Sequence, residues 1–273
     1  MKKLGKFIVL VVVLASLAML NSCNKNEVED VAFLETEAKD YLSLFSAFNF
    51  DQEETITSGD ENDLKSAELL GCLTVTVHEN ETGEFWPRSW TLDYGDENCE
   101  TFSGNLRRGK IHVTLSDWWR NEGALREISF EDYYFNDNKL EGAKTILNNG
   151  ENENGNLTFT KKLADGKLIY ADGGEMTWEC EKTSELVEGN ETLLFADDVW
   201  SVTGSGSGVN IDEQAYTFEI TSPLIYKNGC FNPVSGVVEI TTDGTLQVFN
   251  YGDGECDNEV TVTTNGVSET IEL

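Results

Sequence analysis

Positive charge is scarce in this chain: 19 Lys and Arg stand against 50 Asp and Glu, a formal net charge of −31 at pH 7. Such a surface repels phosphate backbones, so nucleic acid is not expected as a partner. Histidine is scarcer still, with only His78 and His112, each in a stretch that alternates with threonine. Neither has a second histidine at ligand spacing and there is no C-x-x-C pair, so the sequence promises no zinc site. No G-x-S-x-G elbow is present to use either histidine in a hydrolytic triad. Gly204-Ser-Gly-Ser-Gly208 has strand-like flanks and no helix behind it to receive a phosphate, and reads as a bulge or turn. Beyond residue 20 no stretch is apolar enough to span a bilayer.

What is present begins with Lys2, Lys3 and Lys6, an uncharged run from Phe7 to Leu20, and Leu20-Asn21-Ser22-Cys23. A helix over that run reaches roughly 21 Å, short of the roughly 30 Å hydrocarbon core, so it reads as a cleavable signal, residues 1–22. Leu20 to Cys23 resembles the lipobox of bacterial lipoproteins, which implies lipidation of Cys23 and anchoring by two or more acyl chains. The mature chain then has 251 residues, with 16 Lys and Arg against 50 Asp and Glu, a formal charge of −34. Residues 24–30, Asn-Lys-Asn-Glu-Val-Glu-Asp, resemble the acidic export signal of Bacteroidota surface lipoproteins. Localisation at the outer membrane follows as the expectation, on its periplasmic or its cell-surface face.

Val31, Leu34, Ala38, Tyr41, Phe45 and Phe48 recur at three- and four-residue spacing, which predicts a short helix docked on the main domain. Asp51 to Ser66 is polar and acidic and reads as a linker, so 23–68 is assigned as anchored helix plus linker. From Leu69 the texture changes to short alternating runs, as in Leu73, Val75, Val77 and in Ile111, Val113, Leu115. Asn154-Gly155, Asp165-Gly166, Asp243-Gly244 and Asn265-Gly266 read as hairpin turns. The expected fold for 69–273 is all-β, an extended antiparallel meander forming a sandwich or partly closed barrel.

One unit is used twice. Gly71-Cys72 is followed by Tyr94-Gly95-Asp96-Glu97-Asn98-Cys99, and Gly229-Cys230 by Tyr251-Gly252-Asp253-Gly254-Glu255-Cys256. Ten positions beyond each second cysteine stands a glycine, Gly109 or Gly266, read as a turn, so related units are assigned to 71–115 and 229–273. A weaker echo pairs Leu140 to Leu147 with Val187 to Leu194. These motifs, with Gly104-Asn-Leu-Arg-Arg-Gly-Lys-Ile111, Tyr133-Tyr-Phe-Asn136 and Leu140-Glu-Gly142, resemble a family of secreted lipoproteins of the Bacteroidota. The resemblance covers roughly 70–273 and implies the anchor and the architecture, but no activity. Trp118-Trp119 and Cys180 stand outside that pattern.

With Cys23 lipidated, five cysteines remain, an odd number. Four of them allow three pairings, and the duplicated spacing favours Cys72 with Cys99 and Cys230 with Cys256, leaving Cys180 as a thiol. No cofactor is expected. Calcium is the one cation that the Tyr-Gly-Asp loops and Gly150-Glu-Asn-Glu-Asn-Gly155 would suit, although the latter also fits a polar hairpin tip. Paired carboxylates could serve glycoside hydrolysis, but among 50 of them adjacency in sequence says little.

Six tryptophans invite a carbohydrate-binding reading. If the strand through Ile111, Val113 and Leu115 stays regular, Trp119 continues the buried face and Trp118 is displayed, which makes Trp118 the candidate for ligand contact. The expected function is a lipid-anchored cell-envelope protein with a binding or structural role and no catalysis. Its partners would be the membrane and a polysaccharide or another envelope protein. A carbohydrate-binding or carbohydrate-active surface protein and an adhesion subunit are the alternatives.

Overall fold

The computed structural model describes residues 25–48, 72–80, 82–101, 104–192, 197–230 and 232–273, with side chains in the helix from Thr36 onward. The signal segment 1–22, Cys23, the side chains of Val31 and Leu34, and the acidic linker 51–66 lie outside the described residues. Helix α1 spans Lys25–Phe48 and fourteen strands follow. They are β1 Thr74–His78, β2 Arg88–Asp93, β3 Cys99–Glu100, β4 Leu106–Leu115, β5 Leu125–Phe135, β6 Asn138–Glu151 and β7 Leu157–Ile169. The second half holds β8 Glu175–Glu188, β9 Val199–Val209, β10 Ala215–Lys227, β11 Ser235–Thr242, β12 Thr245–Asp253, β13 Glu259–Thr264 and β14 Val267–Glu272. Among the described residues no helix is long and apolar enough to cross a membrane.

The expected all-β meander is what forms: a single antiparallel sheet in the order β1-β2-β4-β5 and onward to β14, with the short β3 beside β4, and the sheet does not close. Alternation drives it, as in β10, where Tyr216, Phe218 and Ile220 are buried and Ala215, Thr217 and Glu219 are exposed. The chain divides into two compact units, Met1–Asp40 and Tyr41–Leu273, so the last two turns of α1 belong to the same unit as the sheet.

Those two turns explain why the sheet curls. Tyr41 packs on Tyr216 of β10 and hydrogen-bonds Thr242 of β11 (2.7 Å), while Phe48 meets Phe130 of β5 and Trp178 of β8. In a flat sheet β5 and β11 would lie about 29 Å apart at about 4.8 Å per strand. Tyr41 and Phe48 are separated by only about 11 Å of helix. Their side chains cannot bridge the difference, so the sheet bends around the helix. Accordingly Tyr41, Leu42, Leu44, Ala47 and Phe48 are all buried. At 100° per residue they cover an arc of about 220°, wider than the stripe a helix shows to one flat layer.

Three readings of glycine are corrected. Gly204-Ser-Gly-Ser-Gly208 is not a turn but part of the interior of β9, with its glycines on the inner face and Gly204 where the register with β10 shifts. A side chain at Gly206 would collide with the Phe218 ring and with Cys180. Asp165-Gly166 is not a hairpin turn but a bulge within β7, where the register with β8 shifts and Asp165 has φ 52°. Gly109 likewise lies inside β4, opposite a bulge of β5 at Asp132 and Tyr133, whereas Gly266 sits in the β13–β14 hairpin turn, so the two glycines do not play the same part. The weaker echo also has no structural counterpart, since Leu140–Leu147 lies within β6 while Val187 and Glu188 end β8.

The two glycines give a direct test. At Gly109 (φ 85°) a Cβ would press on the Asp132 carbonyl, whereas at Gly266 (φ 81°) it would meet nothing. Gly266→Ala is expected to cost about 1–2 kcal/mol, the penalty of a left-handed alanine. Gly109→Ala should cost clearly more, because backbone must move; equal shifts in denaturant midpoint would contradict the bulge.

Candidate functional site

The duplicated motif forms two local staples. Cys72 pairs with Cys99 (Cα–Cα 5.8 Å) and Cys230 with Cys256 (5.6 Å), and the half-buried Cys180 belongs to neither disulfide. Loops of this length contribute about 3–4 kcal/mol each by restricting the unfolded chain. The Tyr-Gly-Asp loops hold their tyrosines, Tyr94 and Tyr251, in the core. One residue ahead of each tyrosine stands an Asx, Asp93 or Asn250, whose side-chain oxygen accepts the backbone N–H of Gly95 or Gly252 at 2.9 Å. That Asx is part of the motif and was legible in the sequence.

The outer face carries the most ordered polar constellation, and it joins the chain's only two histidines. His78 on β1 lies with Nε2 2.8 Å from Thr91 Oγ1 on β2. Thr91 Oγ1 is 3.0 Å from His112 Nδ1 on β4, and His112 Nε2 is 2.8 Å from Glu131 Oε2 on β5. An ionised carboxylate only accepts, so a neutral His112 carries its proton on Nε2 and presents the Nδ1 lone pair to Thr91. Thr91 then donates to Nδ1 and accepts from His78 Nε2–H. One carboxylate thereby sets the direction of three hydrogen bonds across four strands. Lys110 stands 3.8 Å from both Glu131 and Asp93.

Trp118 and Trp119 do not lie on a strand. β4 ends at Leu115, and Ser116 to Ala124 forms a loop in which Asp117 accepts from the Trp118 N–H and the Asn121 side chain. The alternation argument therefore does not apply. The loop instead turns Trp119 inward, 7% exposed, stacked on Phe159 of β7, which in turn meets Trp200 of β9. Asn148 of β6 donates to the Trp119 carbonyl. Trp118 is half-buried, with its ring 6.2 Å from that of Trp119.

Arg120 of this loop reaches the Thr192 carbonyl, and its positive charge acts to lower the pKa of the nearby Asp198. Burial outweighs it: Asp198 is 6% exposed and its carboxyl is pushed up to about 6, first by desolvation and further by Asp197.

A shallow depression of about 570 Å³ opens over β7 to β11, lined by Asp165, Lys167, Thr177, Glu179, Ser207 and Thr217 among others, and no tryptophan lines it. The Gly150–Gly155 segment is a hairpin tip in which Asn152 Oδ1 accepts the Asn154 and Asn156 N–H groups, while the side-chain amides of Asn152 and Asn156 donate to Glu185. Among the described residues no group of three or more His, Cys, Asp or Glu side chains converges to hold a metal ion. Compared with protein-family models, with curated proteins and with solved structures, the chain matches none.

Two outcomes are expected here. Trp119→Ala, which empties a stacked and buried position, should lower stability by about 3–5 kcal/mol, and Trp118→Ala by distinctly less; equal losses in denaturant titration would place both rings in the core. The raised pKa of Asp198 means that the native state holds this proton more tightly than the unfolded chain. Its contribution to stability is therefore lost as pH rises from about 4 through about 6. Measured against Asp198→Asn, the unaltered protein should lose ground over that window, and a pH-independent difference would contradict the assignment.

Proposed function

We propose that the chain is a lipid-anchored cell-envelope protein whose sheet unit has a binding or structural role. The observation that carries this reading is the continuity of α1. It starts at Lys25, two positions behind Cys23 in sequence, and its last two turns are core residues of the sheet's unit. An anchor at Cys23 would thus stand two residues in sequence before a helix whose last two turns the sheet cannot release without losing Tyr41, Leu44 and Phe48 from its core. The basic start, the apolar run to Leu20 and the lipobox-like Leu20 to Cys23 support the anchor, as does the resemblance to secreted lipoproteins of the Bacteroidota.

The structural branch of this reading draws on the open sheet. Among the described residues β14 pairs only with β13, so its far edge offers a row of backbone donors and acceptors to an extended partner segment. Glu269 lies opposite Val262, at an inner-face position of that strand, and opposes pairing of β14 with a second acidic copy. A different envelope protein or a polysaccharide suits that surface better than self-association.

Replacement of Cys23 by Ala tests the anchor. The variant should leave the membrane fraction or accumulate as uncut precursor. Unchanged fractionation together with an unchanged mass of the N-terminal peptide would overturn the proposal.

A further inference from the structure

The His78–Thr91–His112–Glu131 relay has no role in the anchored-protein reading, and its chemistry is more specific than solvation of a sheet face. A nucleophilic threonine is opposed by the surroundings: Thr91 is only 9% exposed, with an imidazole hydrogen-bonded on either side of its hydroxyl. A proton-transfer role would need a reacting group nearby, and neither ring borders the depression over β7 to β11.

We propose that His78 and His112 form a surface site for a divalent transition-metal ion of the imidazole-preferring class, represented by Zn²⁺. Both imidazoles are aimed at one oxygen. Nε2 of His78 and Nδ1 of His112 lie 2.8 and 3.0 Å from Thr91 Oγ1, so they are at most the sum of those distances apart, about 5.8 Å. Zinc–nitrogen bonds of about 2.0–2.1 Å in a tetrahedral shell require nitrogens roughly 3.4 Å apart. Side-chain rotation must therefore close a gap of no more than about 2.4 Å, and His78, whose side chain is exposed, is the ring that supplies it while Thr91 and Glu131 hold His112. The Thr91 oxygen and water would complete the shell.

The arrangement behind the rings matches what a metal requires. Glu131 accepts from His112 Nε2–H, and a carboxylate on the far nitrogen of a ligating histidine fixes its tautomer and raises its basicity. A neutral His112 therefore presents a lone pair at Nδ1 before any ion arrives. His78 must move its proton from Nε2 to Nδ1, a tautomeric exchange through solvent that leaves the ring neutral and releases no net proton. The surrounding charge favours a cation: Asp93 and Glu131 flank the site, Lys110 offsets part of their field, and the whole chain carries −31. Imidazole donors select zinc, copper or nickel over calcium, which prefers oxygen. With two protein nitrogens, the site is weaker than a closed four-ligand structural centre, and metal occupancy would respond to supply.

The test uses the full chain titrated with ZnCl₂, followed by calorimetry and by the imidazole nitrogen resonances. The expected result is one equivalent bound, with the His78 and His112 resonances shifting together. His78→Gln and His112→Gln should each weaken binding at least tenfold, and Glu131→Gln by about tenfold. These side chains sit on an exposed face where single polar contacts contribute little to stability, so each variant should keep the denaturant midpoint of the unaltered protein while losing metal. Absence of saturable binding, a shift confined to one ring, or unchanged binding in the His78→Gln, His112→Gln double variant would each overturn the proposal. The last outcome would assign the ion to the acidic surface or to Cys180.

Discussion

The curvature of the sheet rests on the glycines of β9. Trp178 on β8 and Phe218 on β10 are separated by a whole strand, yet their ring centroids are 5.6 Å apart. They meet because the strand between them offers no side chain on the inner face at Gly204, Gly206 or Gly208. Tyr216 makes the same crossing, reaching over β9 to donate its hydroxyl to the Thr177 carbonyl of β8 at 2.8 Å. Phe45 of α1 then closes on Trp178 and Phe218 from above, at 4.9 and 5.6 Å. A single alanine at Gly206 would strike Phe218, Cys180 and the Glu179 carbonyl at once. The loss of β propensity at three glycines is offset by aromatic contacts that only glycine permits, and the sheet bends at this strand as a result.

Charge is sorted across the sheet in an order that the composition does not suggest. A chain with far more carboxylates than cations places several of its cations on the inner face. Lys144 is 5% exposed and donates to the Phe48 carbonyl, satisfying one of the carbonyls that α1 leaves open at its end and matching the negative end of the helix dipole. Lys182 lies 4.7 Å over the Trp178 ring, and Arg107, 2% exposed, donates to the Tyr133 hydroxyl and sits over Phe135. Aromatic faces and a helix terminus are the natural hosts for buried cations. The carboxylates, which have no such hosts, are left mainly to the outer face and the turns.

The fold class was legible because period-two alternation is a local signal, and from Ile111 to Leu115 in β4 or from Ala215 to Ile220 in β10 it survives unchanged in the structure. Positions where the backbone enters the left-handed region were legible too, but their meaning was not. Asp165-Gly166 and Asn265-Gly266 look alike in sequence, and one is a bulge within β7 while the other turns a hairpin. Both demand positive φ, and only the partner strand decides between them. The cysteine pairs could be read because duplication supplied two copies of one spacing. The histidine relay could not, since His78 and His112 belong to strands with a third strand between them, and the register that aims both at Thr91 is a product of two separate ladders. The inward turn of Trp119 depended on β4 ending at Leu115, which the alternating pattern alone does not mark.

The duplication also has a geometric consequence for the open seam. Successive strands of a meander run in opposite directions, and β11 lies nine pairing steps from β1 along the sheet order. The two strands are therefore antiparallel to each other, and the cysteines that precede them, Cys72 and Cys230, fall on opposite rims. Each copy of the motif binds the start of its strand to the chain returning after the next strand, so one staple holds the sheet's first end at one rim and the other holds its last quarter at the opposite rim. A sheet closed into a barrel would restrain these strands by pairing β1 with β14. Here the seam stays open, and the restraint that pairing would have supplied at the ends comes from covalent loops of 27 and 26 residues instead.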